Sequence, residues 1–382
     1  MLGLRNIVIL GSTGSIGTQA LEVVEANPEL FRVIGLSAGS GNHQLLAAQA
    51  KKFRVPIIGT NSEEFTAELP EGTKLITGAS ASSEIASISA DIVLNGITGS
   101  IGLGPTLAAL SAGNLVALAN KESLVAGGNL VMKFGREKVI PVDSEHSALF
   151  QAMLSGKRNE VKKLILTASG GAFRDRTDLS DVTVADALSH PTWAMGPVVT
   201  INSATLVNKG LEIIEAHYLF GVPYSQIDAV IHPQSIVHSL VEFHDGSTIA
   251  QASPPNMKGP IAYALGYPDR IVRATQPLNW NVEQSWEFRP IDHNRFPAIN
   301  LARHVGELGA GAPAIYNAAN EVAVASFMSG KLKFASILKV VSETIDILQG
   351  EALSEPRDLN DVSGIEQNAR TVAQNVVAKE EL

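Results

Sequence analysis

The stretch IVILGSTGSIGTQALEVVEA, residues 7–26, decides the fold of the first part of this chain. Ile7 to Leu10 are consecutive apolar residues, which predicts a buried strand, and the residues from Thr18 to Ala26 have the apolar spacing of a helix. The turn between them contains Gly11, Gly14 and Gly17. Such glycines permit a sharp turn, close approach of a pyrophosphate and tight packing of the helix. A turn without a ligand could use the same residues, but the position between a strand and a helix favours a dinucleotide site.

Short β-branched runs alternate with helical segments throughout residues 1–143. The candidate strands are Ile7–Leu10, Val33–Ser37, Ile57–Gly59, Asp91–Asn95, Leu115–Leu118 and Val139–Val142. This alternation predicts an α/β fold, with an N-terminal Rossmann-like domain built on a parallel sheet that helices cover on both faces.

The rest of the chain has a different texture. Residues 144–265 combine a strand at 163–167, a helix at 204–220 and a hairpin that turns at Asp245-Gly246, which predicts an α+β catalytic domain. Residues 266–297 are rich in Pro and Trp without a sustained period and are interpreted as a linker. Residues 298–382 contain four apolar-periodic segments, which predicts a C-terminal helical bundle.

Composition excludes several classes of function. The formal charge is 29 − 38 = −9 and no basic run is present, so bulk nucleic-acid binding is disfavoured. The chain has no Cys, which excludes a thiol nucleophile and a thiolate metal site. The first residues lack an apolar signal core, and no stretch approaches the ~20 apolar residues of a membrane helix. We therefore expect a soluble cytoplasmic protein with neither nucleic-acid nor membrane partners.

The end of the second strand bears on the choice of cofactor. An NAD site usually places an Asp or Glu there to bind the ribose 2′-hydroxyl, but this chain has SAGSGN at residues 37–42. The absence of a carboxylate favours NADPH over NADH, although no Arg or Lys lies in the segment either.

Carboxylates follow one of the candidate strands. Asp143 and Glu145 are two residues apart, so in an extended segment both would point to one side and could reach one cation. Oxygen ligands without Cys favour Mg²⁺ or Mn²⁺ over Zn²⁺, whereas a solvated loop is the alternative interpretation. The neighbouring run at residues 120–123, NKES, could serve the same sheet edge or simply cap a helix.

A second polar group lies further along the chain. Asn208, Lys209 and Glu212 would share one face of a helix. With Ser203 expected at the start of that helix, they predict a compact phosphate cradle, and an ordinary surface salt bridge is the alternative.

Glycines at 170, 171 and 196 bracket a long segment that contains a polar stretch. Its far limb holds His190 and, between Pro191 and Pro197, Trp193, which is a composition typical of an active-site lid. A core aromatic is the alternative interpretation of Trp193.

Six motifs, in this order, resemble those of the 1-deoxy-D-xylulose 5-phosphate reductoisomerase family. They are GSTGSIG at 11–17, ANKES at 119–123, PVDSEH at 141–146, SGGAF at 169–173, HPTWAMG at 190–196 and NKGLE at 208–212. The resemblance extends to NAANE at 317–321 and so covers effectively the whole chain. One departure concerns the segment after the second strand, where the family often has Gly-Lys-Asn and this chain has the longer, Lys-free Gly39, Ser40, Gly41, Asn42.

The resemblance implies an NADP-dependent oxidoreductase that uses a divalent metal to rearrange and reduce 1-deoxy-D-xylulose 5-phosphate to 2-C-methyl-D-erythritol 4-phosphate. It implies nucleotide contacts at Thr13, Gly14, Ser15, Ile16, Gly39, Gly41, Asn42, Asn120, Glu122 and Gly196. It implies substrate contacts at Lys121, Ser144, Glu145, Ser169, His190, Ser203, Asn208 and Lys209. The implied metal ligands are Asp143, Glu145 and Glu212, and the implied catalytic residues are Lys121, Asp143, Glu145, His190 and Glu212.

The resemblance also implies a homodimer and membership of the non-mevalonate isoprenoid pathway. The order of bond changes is open between retro-aldol followed by aldol and a concerted shift, and we favour the former as a hypothesis. Another NADP-dependent sugar-phosphate or semialdehyde oxidoreductase is the enzymatic alternative, but semialdehyde dehydrogenases use a Cys nucleophile that this chain lacks. A non-catalytic NADPH-sensing regulator is the other alternative, against which the carboxylate set argues.

Overall fold

The computed structural model describes residues 3–193, 195–349 and 354–380. Two compact units make up the chain. The first comprises Met1–Ser123, Asn129–Ser147 and Asn256–Pro277, and the second comprises Leu124–Gly128, Ala148–Pro255 and Leu278–Leu382. The finer division at residues 143, 265 and 297 stays a prediction.

Eleven strands and fourteen α-helices form the described part of the chain. The strands are β1 Arg5–Leu10, β2 Phe31–Ala38, β3 Ile57–Thr60, β4 Lys74–Thr77, β5 Ile92–Asn95, β6 Leu115–Leu118, β7 Val139–Pro141, β8 Val161–Ala168, β9 Ile227–Ile231, β10 Val237–Phe243 and β11 Thr248–Ala252. The helices are α1 Ser15–Glu25, α2 His43–Phe53, α3 Ala81–Ala86, α4 Leu103–Ser111, α5 Lys121–Met132, α6 Ser144–Ala152, α7 Val184–Leu188, α8 Pro197–Ala204, α9 Val207–Phe220, α10 Lys258–Gly266, α11 Ala298–Leu308, α12 Ala312–Met328, α13 Ile337–Leu348 and α14 Leu359–Glu380.

The first unit is built on a seven-stranded sheet in the order β4-β3-β2-β1-β5-β6-β7, and each neighbouring pair is parallel. Strand β1 lies in its middle, and its residues from Ile7 to Leu10 are all 0% exposed. Burial on both faces explains why this strand is a continuous apolar run. The predicted Rossmann-like α/β fold is confirmed. Strand β4 was not predicted, because an edge strand that begins with an exposed Lys74 lacks that run.

The turn after β1 requires glycine at two positions. Gly11 has φ +74°, and a Cβ there would lie 2.8 Å from the carbonyl oxygen of Gly96. At Gly17 a Cβ would lie 2.3 Å from the carbonyl oxygen of Gly11 and 2.4 Å from the Cα of Ser12. Helix α1 can therefore approach the loop closely only because residue 17 has no side chain.

The second unit contains a four-stranded sheet in the order β11-β10-β8-β9. Strands β8 and β9 are parallel, whereas β10 runs antiparallel to both of its neighbours and forms the predicted hairpin with β11. Helices α11 to α14 confirm the helical C-terminal region. None of the helices in the described parts of the chain has both the length and the apolar character of a membrane span.

The helix predicted at about residues 204–220 is confirmed as α9, but it begins three residues later than predicted. Helix α8 ends at Ala204 and α9 begins at Val207, because Leu206 adopts the left-handed conformation with φ 59°. The Thr205 hydroxyl donates to the carbonyl oxygens of Ile201 and Asn202 at 3.2 Å each, which closes α8. No Gly or Pro marks this break in the sequence, so composition could not reveal it.

Replacing Gly17 with Ala should lower the thermal denaturation midpoint, because the new methyl group overlaps backbone atoms that cannot move independently. Overpacking of this kind costs about 1–3 kcal/mol. Gly41→Ala is the matched control, since a Cβ at Gly41 meets no atom within 4 Å. Equal midpoints for the two variants, measured by circular dichroism, would contradict the close packing.

Candidate active site

The loop before α1 offers free amides to an anion. Gly14 is the N-cap residue of α1 and provides no side-chain cap, and the first turn contains no acidic residue. Gly14 and Ser15 are exposed, whereas Thr13 and Ile16 are half-buried. An uncapped helix N-terminus with accessible amides fits a nucleotide pyrophosphate.

Gln49 on α2 was not predicted as a contributor to this loop. Its Nε2 donates to the carbonyl oxygen of Ser12 at 2.9 Å, and the amide of Ser12 donates to the carbonyl oxygen of Ser37 at 2.9 Å. Gln49 is buried and therefore fixes the loop from behind. A polar residue among the buried positions of α2, Leu46, Ala47 and Ala50, was the available signal in the sequence.

The segment that follows β2 is exposed from Gly39 to Asn42. The side chain of Asn42 accepts a hydrogen bond from the amide of Leu45 at 3.0 Å and so caps α2. No Lys or Arg lies in this segment, and the resemblance-based nucleotide contacts at Gly39, Gly41 and Asn42 stay predictions.

Asn120 caps α5, as the helix-capping interpretation of its run predicted. Its Oδ1 accepts from the amide of Ser123 at 2.8 Å, and its Nδ2 donates to Glu122 Oε2 at 3.0 Å and to the carbonyl oxygen of Gly99 at 2.8 Å. Asn120 thereby links the loop after β5 to the start of α5.

Asp143 is the hub of a charged cluster in the first unit. Its Oδ2 lies 3.0 Å from the Nζ of Lys121, and its Oδ1 lies 3.0 Å from the Nδ1 of His146. Its Oδ1 also accepts from the amide of Glu145 at 3.1 Å. The ammonium, the helix-start amide and the ring N–H all stabilise the ionised carboxylate. This role of His146 was not predicted from the sequence, although its position three residues after Asp143 was an available signal.

The expectation that Asp143 and Glu145 share an extended segment is wrong. Helix α6 begins at Ser144, so Asp143 precedes the helix and Glu145 lies in its first turn. The hydroxyl of Ser144 contacts the carboxylate of Glu145. Because Glu145 lies in the first turn of a helix, its backbone amide is free to bind the Asp143 carboxylate. In an extended strand the same amide would bind a neighbouring strand.

A fully buried acid lies on α9 in the second unit. Glu212 is 1% exposed and Lys209 is 3% exposed, and their side chains form an ion pair. The Nδ2 of Asn208 donates to Glu212 Oε1 at 2.5 Å. The three residues share a helix face as predicted, but the surface salt bridge alternative fails because the pair is buried.

Ser203 does not start the helix that carries these residues, contrary to expectation. It is the next-to-last residue of α8, and its carbonyl oxygen accepts from the amide of Leu206 at 3.2 Å. Gly171 packs against this turn, since a Cβ there would lie 2.5 Å from the carbonyl oxygen of Ser203. Ser203 and Asn208 therefore lie on opposite sides of the break between α8 and α9.

The side chains of Ser169, which precedes the segment interpreted as a lid, and of His190, which lies near its far end, contact each other. The Oγ of Ser169 lies 2.9 Å from the Nε2 of His190. The Nδ1 of His190 accepts from the amides of Thr192 at 3.1 Å and Trp193 at 2.8 Å, so in the neutral ring the proton is on Nε2. The amide of Gly171 also donates to Ser169 Oγ, at 3.2 Å. The hydroxyl of Ser169 thus accepts twice and keeps its own proton for another acceptor.

Trp193 is half-buried and not a core residue. Its ring centroid lies 6.3 Å from that of His238 in a tilted arrangement. Gly196 is the N-cap residue that precedes α8, and Ala194 lies outside the described residues.

We expect His190 to titrate below the ordinary value of 6.5. Burial disfavours the imidazolium and the Arg174 guanidinium repels it, so both lower the pKa of His190. Because the folded value is depressed, His190 is neutral at pH 7, and its protonation opposes folding as the pH falls below 6.5. NMR titration of the ring should give a midpoint below 6.5, which Arg174→Gln should raise, and a wild-type midpoint at or above 6.5 would contradict the assignment.

Comparison with known proteins places all of these motifs in one family. The model described as 1-deoxy-D-xylulose 5-phosphate reductoisomerase matches residues 7–128. Two models of C-terminal domains of the same enzyme match residues 139–220 and 252–372.

Relatives of similar length support the match. The chain is 53% identical to a 1-deoxy-D-xylulose 5-phosphate reductoisomerase of Streptomyces avermitilis, over 89% of this chain and 90% of the relative. It is 52% identical to that of Leifsonia xyli subsp. xyli, over 96% of this chain and 98% of the relative.

Solved structures resemble the whole chain. The Zymomonas mobilis enzyme in complex with NADPH superposes with a TM-score of 0.91 at 38% identity, covering 98% of this chain and 99% of that one. A reductoisomerase in complex with NADPH, fosmidomycin and magnesium has a TM-score of 0.91 at 37% identity, covering 98% of each chain. This chain belongs to the 1-deoxy-D-xylulose 5-phosphate reductoisomerase family and is an NADP-dependent oxidoreductase that, with a divalent metal, converts 1-deoxy-D-xylulose 5-phosphate in isoprenoid biosynthesis.

Proposed function

We propose that this chain rearranges 1-deoxy-D-xylulose 5-phosphate and reduces the product to 2-C-methyl-D-erythritol 4-phosphate with the side chains described above. The observation that carries the assignment is Glu212, a carboxylate only 1% exposed that Lys209 and Asn208 hold on α9. A helix that served packing alone would gain nothing from burying an acid and a base.

The loop before α1 would bind the nucleotide. The amides that follow Gly14 would face the pyrophosphate, with contacts from Thr13, Ser15 and Ile16, and Gln49 would keep the loop in place. Asn120 and Glu122 would contact the nicotinamide half, and Gly196 would close on it. The exposed segment Gly39–Asn42 would receive the adenosine end, where the lack of a carboxylate admits a 2′-phosphate.

Asp143, Glu145 and Glu212 are the proposed metal ligands. Carboxylate oxygens are the donors that Mg²⁺ and Mn²⁺ prefer, and relatives of this chain have been solved with magnesium. The bound cation would supply Lewis-acid polarisation of the substrate's carbonyl and hydroxyl oxygens. Manganese as a working alternative is part of this proposal.

Lys121, paired with Asp143, would compensate negative charge and donate a proton next to that site. The Lys121 ammonium, 3.0 Å from Asp143, offsets the concentration of carboxylates and can give a proton to a bound substrate oxygen. His146 would fix the Asp143 carboxylate from the buried side. Ser144 and Glu145 would contact the substrate from the first turn of α6.

The phosphate end of the substrate would bind in the second unit. The proposed donors are the Ser169 hydroxyl, oriented by His190, together with Ser203, Asn208 and Lys209. Binding energy from the phosphate would orient the reacting carbons. Closure of the segment that carries His190 and Trp193 would exclude water from the site.

We also propose that the enzyme acts as a homodimer in the cytoplasm. The exposed edge of β11 in the second unit, where Ile249 is 37% exposed, supports an interface through this sheet. Equilibrium sedimentation of the purified chain tests this association.

The reaction itself is tested by following NADPH absorbance with 1-deoxy-D-xylulose 5-phosphate. We expect oxidation that requires Mg²⁺ or Mn²⁺, stops with a chelator and resumes when the metal is restored. Oxidation that is unaffected by chelation would contradict the metal requirement.

Glu212→Gln should abolish turnover while NADPH binding is retained, because the substitution removes the negative charge of the proposed metal ligand and keeps the side-chain volume nearly unchanged. NADPH fluorescence measures binding and NADPH absorbance measures turnover. Glu307→Gln, at an exposed position on α11, is the control and should behave like the unmodified chain. Undiminished turnover of Glu212→Gln at saturating Mg²⁺ would refute the ligand assignment.

Substrate and NADPH together should protect residues 170–196 from proteolysis, because closure of the lid orders the segment. Limited digestion followed by mass spectrometry of the fragments measures the cleavage rate with and without ligands. Cleavage at equal rates would show that the segment is not a lid, provided that cleavage elsewhere serves as the internal reference.

A further inference from the structure

Helix α12 carries two fully buried polar side chains on one face. Tyr316 is 0% exposed and Asn320 is 1% exposed, and a spacing of four residues places them one turn apart. The Nδ2 of Asn320 donates to the Oδ1 of Asn202 on α8 at 3.0 Å. Asn202 is buried and directly precedes Ser203, so this bond ties the C-terminal helices to one of the proposed phosphate contacts.

The same helix also contacts α9, on the far side of the break. A Cβ built on Gly210 would lie 2.8 Å from the hydroxyl oxygen of Tyr316 and 2.9 Å from the Cβ of Ala302. Helix α9 therefore packs on α11 and α12 with no room for a side chain at residue 210. This contact lies one residue after Lys209.

The break between α8 and α9 sets the geometry of the proposed phosphate site. Ser203 lies before it, and Asn208 and Lys209 lie after it. At the break itself, Leu206 holds a left-handed conformation that a branched residue adopts only when its surroundings enforce it. The positions of the donors relative to one another thus depend on whatever fixes the two helices.

Asn320 is a costly residue at its position. Its Oδ1 is buried and has no hydrogen-bond partner among the described residues, whereas a Leu of similar size would pack there without that cost. The amide is useful if its bond to Asn202 specifies one arrangement of α8. Asn317, also buried on α12, provides a contrast because its amide donates within the helix, to Glu321 at 3.1 Å.

We propose that Asn320 is a positioning residue for substrate binding, which holds α8 through Asn202 and so sets the distance between Ser203 and the donors on α9. This inference rests on the proposed role of Ser203, Asn208 and Lys209 in binding the substrate phosphate. It gives the C-terminal helices a part in substrate affinity although none of the proposed contacts lies on them.

The first test compares Asn320→Leu with Asn317→Leu. Losing a buried hydrogen bond that positions a ligand contact should raise the KM for 1-deoxy-D-xylulose 5-phosphate roughly tenfold. The kcat and the KM for NADPH should change little. Asn317→Leu should leave the KM for substrate and the KM for NADPH unchanged, even if it lowers the denaturation midpoint as much as Asn320→Leu does. An equal rise in substrate KM for both variants would contradict the positioning role and show that Asn320 only stabilises the fold.

The second test is a double-mutant cycle with Asn202→Leu. If Asn320 acts through Asn202, then Asn320→Leu should have little further effect on substrate KM in the Asn202→Leu background. An undiminished effect there would overturn the proposal. Should Asn320→Leu fail to fold, Asn320→Asp replaces it in the cycle, because it keeps the volume but loses the donor.

Ser203→Ala separates this inference from the function on which it rests. A raised substrate KM for Ser203→Ala together with an unchanged KM for Asn320→Leu would refute only the positioning role. An unchanged KM for Ser203→Ala would refute the phosphate assignment itself, and the positioning role with it.

Discussion

Every part of the proposed chemistry depends on one electrostatic constraint: a carboxylate withdrawn from water must have a cation or several donors beside it. Each of the two units meets this constraint separately. In the first, Asp143 has Lys121 and His146 beside it, and in the second, Glu212 has Lys209 and Asn208. Both carboxylates therefore have a cation or hydrogen-bond donors beside them, as the proposed metal-ligand role requires.

The same constraint explains how a chain with a formal charge of −9 can bind an anionic sugar phosphate and an anionic nucleotide. Average charge acts over distances that salt screens, whereas binding depends on groups within a few ångströms. Around the proposed sites those groups are backbone amides at the start of α1, hydroxyls and two lysines. Local donors, and not the overall charge, would decide which anion each proposed site binds.

The sequence predicted those features that a local pattern determines. The buried run from Ile7 to Leu10 and the glycines that follow it predicted both the parallel sheet and the nucleotide loop. The shared helix face of Asn208, Lys209 and Glu212 was also predicted, because a spacing of three or four residues needs only a helix. The helix break at Leu206 was missed because packing, and not the propensity of Leu, imposes its backbone conformation. For the same reason Gln49 and Asn320 were missed, since their partners lie 37 and 118 residues away in sequence.

The hydrogen bonds of the Ser169 hydroxyl restrict which ligands the proposed phosphate site would favour. With two N–H groups already directed at its oxygen, both lone pairs are occupied, and the hydroxyl can act outward only as a donor. Such a group favours a ligand atom that can accept a hydrogen bond and disfavours a ligand atom that needs an acceptor for its own proton. A phosphate oxygen can accept this hydrogen bond and an ammonium cannot. The proton on Nε2 of the neutral His190 ring, which occupies a lone pair of the Ser169 oxygen, therefore determines which kind of ligand the hydroxyl favours.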